Sequence, residues 1–296
     1  MSLKYKNSVR EYTTLTKTRD EEGNKVINDY VMIAELGKGA QGKVKLACRK
    51  DDTQDLYAIK IINKSILGKA HRHDGGLEAV KREIAIMKKL RHRNIVSLHA
   101  VVDDPTANKL YMIMDYIPKG MLLKELNEKE RLEYDDPTII YHHVDEKSAK
   151  RYMRQLVDGL RYLHKHSIAH RDLKPANVML GEHGRVYLAD FGVSQFIGAG
   201  DEKAQQGTPM FWPPEMFEEN SNVTGETQDM WALGAMLFAM LYGRLPFTGR
   251  NLMDLSKNIK ENPVQFPTDV RVSREAKELL SSLLNKNPSS RINLTD

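Results

Sequence analysis

The sequence predicts an α+β fold in two lobes: a small, mostly antiparallel sheet carrying one main helix, followed by a mostly α-helical lobe. Three observations carry this reading. From Tyr30 to about Ala100, short β-rich runs alternate with a single helical stretch. Turn-forming residues then gather in Asp115-Tyr116-Ile117-Pro118-Lys119-Gly120, and beyond them apolar residues recur at helical spacing. With 296 residues the chain exceeds the usual size of a single core, so one large domain or two lobes sharing a cleft is expected.

Taken in order, residues 1–29 are rich in Lys, Thr, Asp and Glu, show no sustained period, and read as an N-terminal extension. The first lobe, 30–114, takes strands at 31–36, 43–47, 56–62 and 110–114 and one helix at 77–90. Residues 115–120 form the hinge and 121–296 the second lobe. There Ala149, Tyr152, Met153, Leu156, Val157, Leu160 and Leu163 fall on one helical face, with Asp145 placed to cap it. Further helices are read at 229–242 and 274–284, the latter capped by Ser273 with Pro288 beyond its end. No internal repeat or low-complexity tract interrupts the pattern.

Composition narrows the function classes. The chain is 41% hydrophobic and 29% charged, the balance of a soluble globular protein. Its net charge of +5 is spread out, with no basic block interleaved with aromatics, which argues against nucleic acid. No apolar run approaches the roughly 20 residues that cross a bilayer, and no signal-peptide stretch opens the chain. A soluble, cytoplasmic protein with access to the nucleus is expected. The single cysteine, Cys48, has a strand-like setting and reads as a buried structural thiol.

Chemistry first shows at Leu36-Gly37-Lys38-Gly39-Ala40-Gln41-Gly42-Lys43-Val44. Glycines at this G-x-G-x-x-G spacing let backbone N–H groups approach phosphate oxygens with no Cβ in the way. The same spacing suits a dinucleotide-binding turn, with Asp52 or Asp55 left to find a ribose. That reading needs a helix directly after the glycines, whereas Lys43-Val44-Lys45-Leu46-Ala47 alternates like a strand. Ala58-Ile59-Lys60 lies on the next strand, and Glu83 on the predicted helix could hold the Lys60 ammonium against phosphate. Glu78 is the rival partner, with less apolar neighbours.

The decisive stretch is Ile168-Ala169-His170-Arg171-Asp172-Leu173-Lys174-Pro175-Ala176-Asn177, followed by Asp190-Phe191-Gly192. The ordered set of glycine loop, Ala-x-Lys, this loop and Asp-Phe-Gly resembles the eukaryotic protein kinases from about Tyr30 to Asp296. The resemblance implies the bilobal kinase fold, ATP as phosphate donor, and Mg²⁺ or alternatively Mn²⁺. It implies Asp190 and Asn177 as metal ligands, Asp172 as the group that orients and deprotonates the attacking hydroxyl, and Lys174 on the γ-phosphate. Lysine at that loop position is the Ser/Thr form. Thr208 in Gly207-Thr208-Pro209 is expected to hydrogen-bond Asp172 and Lys174. The adenine is expected against Leu36, Val44, Ala58 and Met179, with Met114 as gatekeeper and the backbones of Asp115 and Ile117 reading its edge. Gly37, Gly39 and Gly42 are expected to cover the phosphates. Glu215 is expected to pair with Arg291, and Asp229 to hold the catalytic-loop backbone; Pro213 replaces the Ala usual before Pro214-Glu215.

Local phrases narrow the family further. Glu83-Ile84-Ala85-Ile86-Met87-Lys88-Lys89-Leu90, Asp103-Asp104-Pro105 and Asn285-Lys286-Asn287-Pro288-Ser289-Ser290-Arg291-Ile292 resemble the calcium/calmodulin-dependent kinase kinases and related upstream kinases of AMP-activated kinase. This implies a protein substrate that is itself a kinase. The family's insert corresponds to 65–76, here short and lacking proline-rich character. Met121 and Ala176 stand where Arg-directed kinases usually carry acids, so no strong need for an upstream Arg is expected. No hydroxyl residue lies between Ser194 and Thr208, so activity is expected without a phosphate there, with Asp201 or Glu202 as alternative partners for Arg171. The sequence ends before the last helix the family expects, so calmodulin would act only through a segment outside it. A monomer is expected. His71, His73, His142 and His143 read as solvated loop residues. The competing readings are a pseudokinase scaffold, a Ser/Thr kinase of another branch, and a nucleotide-dependent oxidoreductase.

Overall fold

The computed structural model describes residues 8–39, 42–69, 76–131, 133, 136, 138–197, 206–218 and 223–295. The chain divides into two compact units, one of residues 1–92 and 96–118, the other of residues 93–95 and 119–296.

The first unit is built on strands β1 (Arg10–Tyr12), β2 (Lys17–Arg19), β3 (Lys25–Ile27), β4 (Tyr30–Gly39), β5 (Gly42–Arg49), β6 (Asp52–Asn63), β7 (Leu98–Asp103) and β8 (Lys109–Asp115). They form one eight-stranded sheet in the order β1-β7-β8-β6-β5-β4-β3-β2, antiparallel except for the parallel β1–β7 pair. The glycine segment is the β4–β5 hairpin, Gly39 facing Gly42 in register, so the dinucleotide-turn reading is excluded. A side chain at Gly42 would place its Cβ 1.9 Å from the Ile61 carbonyl oxygen, so the close approach of β5 to β6 requires glycine.

The register sorts side chains onto two faces. Val44, Lys60 and Met112 lie opposite one another, as do Leu46, Ala58 and Met114, and neighbouring members of these rows are two residues apart, so both rows share a face. The other face carries Lys45, Ile59 and Ile113 in one row and Lys43, Ile61 and Tyr111 in the next. Ile27 closes over it in an apolar cluster with Tyr30, Ile59, Tyr111 and Ile113.

The described part of the N-terminal extension joins the sheet. Residues 10–27 supply three strands and the fully buried Ile27. Their shortness, three residues each, is why no period showed in the sequence. The sequence pattern likewise does not mark β7, the short helix α1 (Lys64–Lys69) or two helices of the second unit described below. α1 covers the start of the family's insert, and His71 and His73 lie outside the described residues. Helix α2 (Gly76–Lys89) buries Val80, Glu83, Ile84, Ile86 and Met87 on one face and ends in Lys88 and Lys89, which suit its negative C-terminal end.

The second unit holds α3 (Glu128–Arg131), α4 (Glu146–Lys165), β9 (Ile168–Ala169), β10 (Val178–Leu180), β11 (Val186–Leu188), β12 (Gln195–Phe196), α5 (Gly225–Tyr242), α6 (Leu252–Glu261) and α7 (Arg274–Leu283). Asp145 caps α4 by accepting the Ser148 N–H at 2.9 Å, and Ser273 caps α7. α5 starts four residues earlier than 229, at a reciprocal cap between Thr224 and Thr227, and is buried nearly all round, as befits the central helix of its unit. It stops at Gly243 in a left-handed turn (φ 68°), where a Cβ would lie 2.6 Å from the Tyr141 carbonyl oxygen. α3 and α6 are the two helices that the sequence pattern does not mark. β10 pairs antiparallel with β11, and β12 with β9, two short ribbons that fix the loops between them. No helix among the described residues is long and apolar enough to cross a membrane.

Candidate active site

In the first unit the site is a strand lysine and a helix carboxylate. Lys60 Nζ donates to both oxygens of Glu83 at 2.9 and 3.0 Å. Glu83 is only 2% exposed, and a carboxylate so placed requires a cation or several donors. The rival Glu78 pairs instead with Lys81, three residues along the exposed side of α2, at 2.8 Å. Val44, Ala58 and Met114 share the Lys60 face and are half-buried. Leu36 is exposed, and a Cβ added at Gly37 would meet nothing within 4 Å, which is the open space a phosphate group needs over a glycine strand. Ala40 and Gln41, at the tip of the hairpin, lie outside the described residues. Asp115 gives its N–H to Ser97 O at 3.1 Å, and its carboxylate takes the Ser97 N–H and His99. Of this residue, the carbonyl is what remains to read a base edge, next to the buried Ile117.

In the second unit the catalytic loop is tied to α5. Asp229, fully buried, accepts the N–H groups of His170 at 2.9 Å and Arg171 at 2.7 Å, and meets His164 Nε2 at 2.8 Å. Burial pushes its pKa up, but the hydrogen bond and charge of His164, then His170, outweigh this and hold it below the ordinary carboxylate value. These anchors stabilise a backbone that is left-handed at Arg171 (φ 66°), an uncommon conformation for a residue with a Cβ. Asp190 is left-handed as well, at φ 59°.

Asp172 stands at the centre of a compact network. Its Oδ1 accepts the Thr208 hydroxyl at 2.8 Å, and its Oδ2 accepts Asn177 Nδ2 at 2.9 Å and Lys174 Nζ at 2.7 Å. Lys174 Nζ also donates to Thr208 Oγ1 at 2.7 Å. Asn177 spends its amide N–H groups on Asp172, the second on the backbone oxygen at 2.8 Å, so its side-chain oxygen is the atom that could meet a metal. Ala189 donates to Asn177 O at 2.9 Å, which brings the residue before Asp190 beside it. One carboxylate and one amide oxygen, with phosphates for the rest, is a donor set that fits Mg²⁺. No cluster of three or more His, Cys, Asp or Glu that could hold a metal is present among the described residues.

Two structural pairs complete the unit. Arg291 forks onto Glu215 at 2.6 and 2.9 Å, with both side chains buried, and its guanidinium lies 5.1 Å from the Trp231 ring centre. Gln228 Nε2 donates to the Arg171 carbonyl at 2.8 Å, and the Arg171 guanidinium donates to Gln195. Asp201 and Glu202 lie outside the described residues. His164, Gln195 and Gln228 were missed in the sequence because none belongs to a motif of the site; only His164 carried a signal, as a polar residue beside the apolar stripe of α4. Met179 lies on β10, bridged to Met121, and Met121 and Ala176 are both exposed.

Residues 30–296 match the family model of the protein kinase domain. The chain belongs to this family. Protein kinases use ATP and a divalent metal, and among curated proteins this chain is similar to serine/threonine kinases, so it is a Ser/Thr-type, ATP-dependent kinase domain. It is 36% identical over 290 residues to a calcium/calmodulin-dependent protein kinase kinase of Caenorhabditis elegans, covering 90% of this chain and 51% of that protein. It is 38% identical over 304 residues to the serine/threonine-protein kinase ssp1 of Schizosaccharomyces pombe, covering 97% of this chain and 44% of that one. A probable serine/threonine-protein kinase of Dictyostelium discoideum is 35% identical over 300 residues, covering 99% of this chain and 40% of its own length. The kinase domain thus spans about half the length of these relatives, or less.

Proposed function

We propose that the protein transfers the γ-phosphate of ATP to Ser or Thr hydroxyls of other kinases, acting as an upstream kinase on their activation segments. The observation that carries the chemistry is the Asp172 network: an acceptor carboxylate held by Thr208, Lys174 and Asn177. Asp172 takes the proton of the attacking hydroxyl as its oxygen bonds to phosphorus and the bridging P–O bond to ADP breaks. Lys60, held by Glu83, neutralises the α- and β-phosphates, and Lys174 the transferred group. Asp190 and Asn177 would hold Mg²⁺, which would supply further neutralisation of phosphate charge.

The choice of kinases as substrates is supported by the name of the Caenorhabditis elegans relative, a protein kinase kinase, and by exposed Met121 and Ala176, which offer no carboxylate to a substrate Arg. The test is phosphorylation of catalytically dead kinase domains, mapped by mass spectrometry, beside a generic Ser/Thr peptide and an Asp172→Asn control. Phosphate on an activation-segment Thr or Ser, absent in the control, is expected. Labelling of the generic peptide with none on any kinase domain would refute the upstream role while leaving the chemistry intact. A peptide-array requirement for upstream Arg would also count against it.

A further inference from the structure

The far edge of the first unit carries a feature that catalysis does not use. β2 is the last strand of the sheet, and all of its residues are exposed. Asn28 N–H donates to Thr16 O at 3.0 Å and Asp20 N–H to Asn24 O at 3.1 Å, which marks every second residue, 16, 18 and 20, as turned toward β3. Antiparallel pairing alternates, so Lys17 and Arg19 turn their N–H and C=O groups outward. Arg19 faces Lys25 across the hairpin and Lys17 faces Ile27, so the three basic side chains stand on one face of it. That face meets the sheet face of Lys45 and Lys109, and the like charges of Lys109, Lys17, Lys45 and Arg19 add to burial in holding the Lys25 pKa down. None of these five cations forms an ion pair among the described residues.

We propose that the outer edge of β2 receives an extended, acidic segment of another protein as an additional strand, its carboxylates facing Lys17, Arg19 and Lys25. Two independent features converge on this occupant. The outward backbone groups recognise an extended chain, and the residues opposite Lys17 and Arg19 in such a pair bring their side chains to the basic face, so an acidic residue at every second position fits. A second copy of this chain does not fit, because pairing β2 with β2 sets Lys and Arg against themselves. A bilayer does not fit either: none of the exposed large apolar side chains among the described residues lies in 8–29. The inference is independent of which protein the kinase phosphorylates.

The test uses the full chain and a labelled short peptide alternating Thr and Glu, with fluorescence anisotropy as readout. Binding is expected to weaken about tenfold or more in the Lys17→Glu/Arg19→Glu variant and to fall steeply with salt, while Lys17→Arg retains it and activity on a short substrate peptide is unchanged. A peptide N-methylated at its glutamates keeps the charge but loses the donors, and is expected to bind far more weakly. Equal binding of the N-methylated peptide would overturn strand addition. Absence of any peptide binding, or capture of phosphatidylserine vesicles in its place, would also overturn the proposal and leave the cations as guards that keep a bare edge from pairing.

Discussion

Two lysine–carboxylate contacts of almost equal length serve the kinase in different ways. Lys60–Glu83 in the first unit joins a sheet strand to a helix at 2.9 Å. Lys174–Asp172 in the second, at 2.7 Å, lies within one loop and shares its partners with Thr208 and Asn177. The first depends on where a whole helix sits. The second is held inside its own unit by the bonds that Thr208 and Asn177 add to it. The first contact therefore suits adjustment, whereas the second suits constancy.

The largest expected effect breaks the second contact at its chemical centre. Asp172→Asn is expected to lower kcat by about 10³-fold with ATP affinity nearly unchanged, because the acceptor is lost while Lys60 remains. Steady-state kinetics with a Ser/Thr peptide, alongside nucleotide titration, measures the split. Next, Arg291→Ala is expected to cost about 3–5 kcal/mol of stability by stranding the buried Glu215, with denaturant unfolding as the readout. Removing both partners should cost less than removing Arg291 alone. Glu83→Gln is expected to lower kcat/KM for ATP by about tenfold or more and to cost less stability than Arg291→Ala, since Lys60 keeps some contact with water, which sharpens the contrast between the adjustable contact and the fixed one.

A pH prediction follows from Asp229. Its folded-state pKa lies below the ordinary value of 3.8, so its contribution to stability is present above that value and is lost as pH falls through the folded pKa. Acid unfolding below about pH 4 should therefore be shallower in Asp229→Asn than in the wild type, read by circular dichroism against pH. The smallest effect is expected at Tyr111, a buried hydroxyl without a hydrogen-bond partner among the described residues. Tyr111→Phe should be neutral or slightly stabilising, since no bond is lost and a desolvated hydroxyl is removed.

Much of the catalytic geometry was legible in the sequence because motifs fix both residue type and local spacing. Thr208 meeting Asp172 and Lys174, Glu215 meeting Arg291, and Asp229 meeting the His170 and Arg171 amides are all placed as the motifs imply. Glu83 was preferred over Glu78 on the apolar character of its neighbours, and the burial of Ile84 and Met87 beside it gives the physical reason. What the sequence hid was structure made by pairing. β1, β2 and β3 hold three residues each, too few to show a period, and they exist because the sheet supplies partners and Ile27 an apolar cluster. Helix α6 shows the same limit, with only Leu255 and Ile259 buried and its cap on Asn251.

The anchoring of the catalytic loop on Asp229 bears on how long that loop keeps its shape. The amide hydrogens of His170 and Arg171 end on a carboxylate carried by the most enclosed helix of its unit. They can trade with solvent deuterium only when that helix lets go, so two residues in an irregular segment should exchange as slowly as the interior of α5. Measured residue by residue, their exchange lifetimes would serve as a clock for the opening of the whole second unit.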